Sequence, residues 1–364
     1  MARIEQDLLR ALFAPLFDAR GPLDLPSGVT DDLVLAVARH HRLSPALSMV
    51  PAVATAVSAA LLETLRRDRL VTLGRGTLLR QALVEGSNAL AAAGVKTVVL
   101  KGMAYEALVY PIPGTRPATD IDLLVPRSAR PTAFQVFASL GFQPAAGGPG
   151  FDEPDYHEVS LRRGDVNVDL HFGLAPFVRG AIDYDELWAA TVPLPIDGAS
   201  VHALSRPHAA LHQALHMAIH HFDVPGIYLL DLARLCAEEG VTEQAARAAH
   251  RWRCLRAWQT ATALAASFIP GARPGLQPPG FAPGSRIDRV VQSFGGLTAL
   301  PRPEQLRRKV EHFDTLADAA RYLAVQGRRV LRERFIGLRG AQTPSERLGW
   351  GIAAKAEAPP RAQA

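Results

Sequence analysis

The spacing of apolar residues divides the chain into three stretches with different periods. Leu8, Leu9, Leu12 and Phe13 recur at helical spacing, as do Leu33, Val34 and Val37. A long amphipathic run from Ala52 to Ala93 follows, which Gly74 and Gly76 are expected to break into two helices, with Gly94 as its C-terminal cap. At Val95 the period shortens. Val95 to Leu100 is β-branched and short, the pattern of a buried strand. Lys101-Gly102 leads from it into a short helix, Met103 to Val109.

The turn-rich segment Pro111 to Pro117 then feeds a second strand, Asp120-Ile121-Asp122-Leu123-Leu124-Val125. A helix is expected over Pro131–Leu140, closed by Gly141, and a loop over Pro144–Gly150. Two more strands, Tyr156 to Arg163 and Val166 to Phe172, flank Gly164-Asp165 as a hairpin. Beyond Ser205 the period is helical again, over His208–His221, Gly226–Glu238 and Thr242–Phe268, the last with a possible interruption. A linker is expected from Pro270 to Gly284 and a further helical segment from Pro303 to Leu338. These patterns predict an α+β fold, a small mixed β-sheet with helical regions on either side in sequence. The expected division is 1–93 helical, 94–204 the sheet-bearing core, 205–340 helical and 341–364 a disordered tail.

Composition changes this picture little. The chain has 364 residues, of which 48% are hydrophobic, as in an ordinary globular protein. No apolar run is long enough to span a membrane. The opening residues read as a helix start rather than a signal peptide. Two cysteines, Cys236 and Cys254, argue against a disulfide framework and for a reducing, cytoplasmic setting. The net charge of +5 is concentrated: Arg302 to Arg339 carries ten basic residues against five acidic. A solvated helical face is the expectation there, with a nucleic-acid contact as the lesser alternative.

The chemistry lies in three carboxylates set into apolar strands. Asp120 and Asp122 are two apart, so their side chains share one face, and Asp169 sits in Val166-Asn167-Val168-Asp169-Leu170-His171. Like charges this close repel, and burial costs several kcal/mol unless a cation neutralises them. Oxygen donors of this kind suit magnesium. The Lys101-Gly102 step presents free backbone N–H groups at a helix start, a phosphate cradle with a mobile cation beside it.

In these segments, Val98 to Gly102, Gly114 to Val125 and Val168 to His171, the chain resembles the polymerase-beta-type nucleotidyltransferase superfamily, and more closely its bacterial uncharacterised branch. The helix-opening motif departs from the superfamily, having Lys-Gly where Gly-Ser or Gly-Gly is usual. The resemblance implies transfer of a nucleoside monophosphate from a nucleoside triphosphate, with ATP the expected donor, to a hydroxyl or phosphate acceptor. Pyrophosphate is released. Asp120 and Asp122 would bind two magnesium ions, and Asp169 would share the acceptor-side ion and help deprotonate its hydroxyl. Lys101 and Gly102 would contact phosphate, and Arg116 would bind phosphate or else pair with Asp120. The acceptor, a small molecule, peptide or protein, is not legible. The alternatives are an inactive nucleotide- or partner-binding module on the same fold, and transfer of another phosphate-linked group.

His171 shares a face with Asp169 and is read either as a general base or as the residue that orients Asp169. His157 is expected across from it. His212, His216 and His220 fall on one helical face; they are expected to line the boundary between the helical region and the core, with zinc binding the lesser reading. Walker, dinucleotide and nucleophile-elbow patterns are absent from the sequence.

Overall fold

The computed structural model describes residues 2–18, 21–145, 157–176, 181–196, 198–199, 201–272, 282 and 284–337. The expected tail, most of the 270–284 linker, most of the 144–150 loop and Tyr156 lie outside the described residues.

Seven strands form one mixed sheet among the described residues. They are β1 Val98–Leu100, β2 Ile121–Leu124, β3 Gln143–Pro144, β4 Glu158–Arg163, β5 Val166–His171, β6 Val192–Leu194 and β7 Val201–Ala203, in the order β3-β4-β5-β2-β1-β7-β6. β1 runs antiparallel to β2 and parallel to β7, and β2 runs parallel to β5. β4 and β5 form the expected hairpin, with Gly164 at a φ of 56° in its turn. The α+β architecture of a mixed sheet with helices before and after it is therefore observed. β1 and β2 are buried at every position, so the centre of the sheet is covered on both faces rather than one.

Two registers set up the site. Leu100 pairs with Asp122 across β1 and β2, which brings the following residue, Lys101, beside that carboxylate. Asp122 pairs with Asp169 across β2 and β5, so the two acids stand side by side on one face. On β5, Val166, Val168 and Leu170 point into the core while Asn167 and Asp169 point away.

The helices differ from expectation in where they break. The run after Pro51 is interrupted at Val57, and the helix Ala59–Ala92 then continues unbroken through Gly74 and Gly76. Ser58 caps its start by accepting from Leu61 N–H, and Gly94, at a φ of 72°, follows its end. Each internal glycine costs about 1 kcal/mol. Burial of Leu61, Leu65, Leu79, Leu83 and Leu90 along the helix offsets that cost. The run after Thr242 is two helices, Val241–Arg251 and Leu255–Phe268, separated near Arg253, which has a φ of 53°. The segment from Pro303 is likewise two helices, Arg302–Glu311 and Leu316–Gly337. Strands β6 and β7 and the helix Tyr184–Ala189 were not legible, being three to six residues long and interspersed with proline and polar residues.

One continuous apolar core links Leu8 in the first helix, the sheet, and Phe294. His41 is part of what joins them. Its Nδ1 accepts from Gly226 N–H at 3.0 Å, and its Nε2 faces the Gly295 carbonyl at 3.4 Å. The basic C-terminal segment is not simply solvated. Arg308 is buried, bonded to Glu304, to the His221 carbonyl and to Ser293, while Arg307 and Arg321 pair with Glu304 and Asp318.

Candidate active site

A cavity of about 290 Å³ opens between the ends of β1, β2, β4 and β5 and the helix Arg206–Ile219. Lys101, Gly102, Arg116, Asp120, Asp122, Asp169 and His171, all singled out from sequence, line it together. His212, His216 and His220 line it too, so this histidine face meets the sheet, as expected of a boundary element.

Asp122 is the best-held carboxylate. Its Oδ1 accepts from Lys101 Nζ at 2.7 Å and from His171 Nε2 at 2.9 Å. Burial alone would raise its pKa, but Lys101 and His171 outweigh burial and hold it well below the usual carboxylate range. Lys101 shows the mirror effect: burial works against its charge, and Asp122 and Glu158 more than restore it. The lysine also carries backbone strain, with a φ of 43° at the strand-to-helix junction.

Asp120 and Asp169 differ from Asp122. Burial and neighbouring carboxylates push both upward, although Ser160 Oγ, donating to Asp169 at 2.5 Å, works against this at Asp169. Neither acid has a salt-bridge partner among the described residues.

Three sequence readings change in detail. His171 does not orient Asp169; reaching diagonally from β5, it bonds Asp122 instead. Arg116 does not pair with Asp120. Its guanidinium is clamped to Asp231, with Nη2 at 2.7 Å and Nε at 3.4 Å, and Tyr110 Oη donates to the same carboxylate at 2.7 Å. Across from His171 in register stands Glu158, not His157. Glu158 Oε2 lies 3.3 Å from His171 Nδ1 and 3.5 Å from His157 Nε2. Ligand atoms of these three residues all lie within 4.8 Å of one another, and among the described residues no other group of three or more His, Cys, Asp or Glu side chains is gathered so closely. The three aspartates share the cavity but are not gathered to that degree.

Sequence reasoning missed Glu158, Arg42, Gln213 and Tyr228, which line the cavity, and did not foresee that Asp231 would hold Arg116 beside it. Asp231 carried a signal: it is an acid in the apolar helix Ile227–Leu235 and is fully buried. Glu158 carried one too: with Gly164-Asp165 as a two-residue turn, counting back along the hairpin sets it opposite His171.

A family model described as "Uncharacterised nucleotidyltransferase" matches residues 27–270. The protein is thus a transferase of nucleotidyl groups by class, and the chain belongs to that uncharacterised nucleotidyltransferase family. No curated protein matches the chain. Among solved structures it is similar to the antibiotic-resistance factor ANT(2'')-Ia in solution (18% identity, 48% of this chain, 94% of that one, TM-score 0.35). It is also similar to ANT(2'')-Ia in complex with adenylyl-2''-tobramycin (19%, 48%, 98%, 0.34). A third is an antigenic nucleotidyltransferase-like protein from Paracoccidioides brasiliensis (14%, 48%, 88%, 0.30). At these scores the likenesses carry no argument about substrate. No described helix is long and apolar enough to cross a membrane.

Proposed function

We propose that the protein moves a nucleoside monophosphate from a nucleoside triphosphate, ATP by preference, onto a hydroxyl or phosphate acceptor, with magnesium required and pyrophosphate released. The observation that carries this reading is the meeting of Asp120, Asp122, Asp169 and Lys101 in one cavity at the mouth of a parallel strand pair.

The residues fit a divalent ion on their chemistry. Asp120 and Asp169 offer hard oxygen donors, are pushed upward by burial and like charge, and have no salt-bridge partner among the described residues. Asp120 and Asp122 would hold ions against the phosphates, and Asp169 would share the acceptor-side ion. Such ions, when bound, supply positive charge at the phosphates and acidify the acceptor hydroxyl.

The chain's own groups do the rest. Lys101 and the backbone N–H groups at the start of the helix Lys101–Val109 face the triphosphate tail. His171 keeps Asp122 in place and ionised. Asp169, steadied by Ser160, accepts the proton of the acceptor hydroxyl as its oxygen bonds to the α-phosphorus. The bond from the α-phosphorus to the bridging oxygen breaks, and pyrophosphate carries that electron pair away. Two buried cysteines, Cys236 and Cys254, that form no disulfide support a cytoplasmic setting.

The test is pyrophosphate release from labelled triphosphates with magnesium and a panel of acceptors. The Asp120→Asn, Asp122→Asn double variant is expected to abolish it, and unchanged release would overturn the reading. One observation favours a second reading, a nucleotide-binding module without turnover: Lys101 and Arg116 are both already paired with acids of the chain. Tight nucleotide binding by calorimetry with no pyrophosphate formed, across the whole acceptor panel, would establish that version.

A further inference from the structure

We infer that His157, Glu158 and His171 form a separate metal site on the cavity wall, one that takes a borderline divalent cation such as zinc rather than magnesium. This inference stands on its own geometry and does not need the nucleotidyl-transfer reading.

The donor set is two imidazoles and one carboxylate. This is a nitrogen-rich combination suited to zinc, unlike the all-oxygen set of the aspartates. The spacing agrees. Tetrahedral zinc with bonds of about 2.0–2.1 Å places its ligand atoms roughly 3.3–3.5 Å apart. Glu158 Oε2 stands 3.3 Å from His171 Nδ1 and 3.5 Å from His157 Nε2. The remaining edge, between the two ring nitrogens, lies within 4.8 Å and closes by a small ring movement.

Protonation logic favours a metal over a proton at this point. Asp122 is an acceptor, so His171 Nε2 donates to it and carries the ring's hydrogen. In the neutral ring, His171 Nδ1 then presents a lone pair beside the Glu158 carboxylate, whose oxygens also offer only lone pairs. Two acceptors at 3.3 Å repel unless a cation lies between them. A proton on Nδ1 would serve only if it pointed at Glu158, and the contact fails hydrogen-bond geometry: His171 Nδ1 is buried without a hydrogen-bond partner, in a residue 1% exposed. A buried ring nitrogen that stands 3.3 Å from a carboxylate oxygen without hydrogen-bonding it is spaced as two ligands of one cation are.

The Asp122–His171 bond completes the pattern. A carboxylate that accepts from the far nitrogen of a ligating histidine fixes its tautomer and strengthens the near nitrogen as a donor. Three protein ligands leave one coordination position, which opens onto the cavity and would take an oxygen of a phosphate or acceptor.

The experiment uses the full chain stripped with a chelator, then titrated with zinc alone against a chromophoric competitor, with cobalt(II) as a spectroscopic substitute. One equivalent per chain is expected, with the intense visible absorption of four-coordinate cobalt. His157→Ala and Glu158→Gln are expected to weaken uptake about 100-fold or more. Asp120→Asn is expected to bind as the wild type does. Failure of the wild type to take up zinc overturns the inference whether or not the variants fold. So does undiminished uptake by folded His157→Ala, or loss of the ion in Asp120→Asn, which would place it among the aspartates.

Discussion

The guanidinium of Arg116 lies against Gly102 so closely that a Cβ built on the glycine would sit 2.7 Å from Arg116 Nη1 and 3.2 Å from the Ala118 Cβ. The glycine of the Lys-Gly step is thus a space-maker for a buried arginine, in addition to any part it has in holding phosphate. Arg116 cannot swing away to relieve the clash, since Asp231 grips it at two nitrogens and the Pro117 carbonyl accepts from Nη1. Gly102→Ala should therefore destabilise the fold by about 1–3 kcal/mol, the usual cost of forcing extra volume into a packed site. A lower urea midpoint at unchanged slope would show it.

The Arg116–Asp231 pair itself is fully enclosed. Removing one partner strands the other charge away from water, which costs about 3–5 kcal/mol. Arg116→Met should show a loss of that size by chemical denaturation. Arg116→Lys keeps the charge but not the planar fork, and should recover only part of it. If Arg116 instead served mainly to contact a ligand, both variants would be as stable as the wild type.

Lys101 combines an ion pair with a left-handed backbone. Lys101→Ala loses the ion pair and keeps the strain, whereas Lys101→Gly loses the ion pair and relaxes the backbone. The glycine variant should be the more stable of the two by roughly 1 kcal/mol. Both should lose nucleotidyl transfer, since each leaves Asp122 without its lysine. Equal stability of the two would mean that the φ of 43° carries no strain.

Acid should weaken the molecule through His41. Burial, with His40 adding to it, lowers its pKa to about 4 from an ordinary 6.5, and protonation of Nδ1 would also break the bond from Gly226 N–H. Above pH 6.5 the ring is neutral in both folded and unfolded chains and contributes no slope. As pH falls through 6.5 the unfolded chain takes up a proton that the folded one refuses until about pH 4. Stability is lost across that window, by about 3 kcal/mol in all. Unfolding midpoints measured from pH 7.5 to 4 should show a steeper acid loss in the wild type than in His41→Gln.

Much of the site was legible because its residues sit in short, locally determined patterns. The two-residue spacing of Asp120 and Asp122, the β-branched run before Lys101-Gly102 and the hairpin at Gly164-Asp165 each fix a side-chain direction without reference to distant sequence. What was missed depends on exact register and on remote partners. Glu158 stands opposite His171 because the two-residue Gly164-Asp165 turn sets the β4–β5 register, one residue off the His157 expected there. Asp231 reaches Arg116 across 115 residues of chain, which no local pattern can specify. The glycines at 74 and 76 misled for a related reason: local propensity argues for a break, and packing of the leucines on either side overrides it. Buried Arg308 likewise looks like surface until Ser293 and the His221 carbonyl are brought to it.

The contacts of Phe294 to Leu297 with the first helix bear on how the chain is made. Gln6 donates to the Phe294 carbonyl and Glu5 accepts from Leu297 N–H, across 288 and 292 residues. A ribosome must therefore emit nearly the whole described chain before the opening helix finds these neighbours. Until then Leu8, Leu9 and Leu12 lack part of their burial, and such late-closing, distant pairings slow folding and leave apolar surface open to aggregation. Nascent chains halted short of this segment are the ones that should depend most on chaperones.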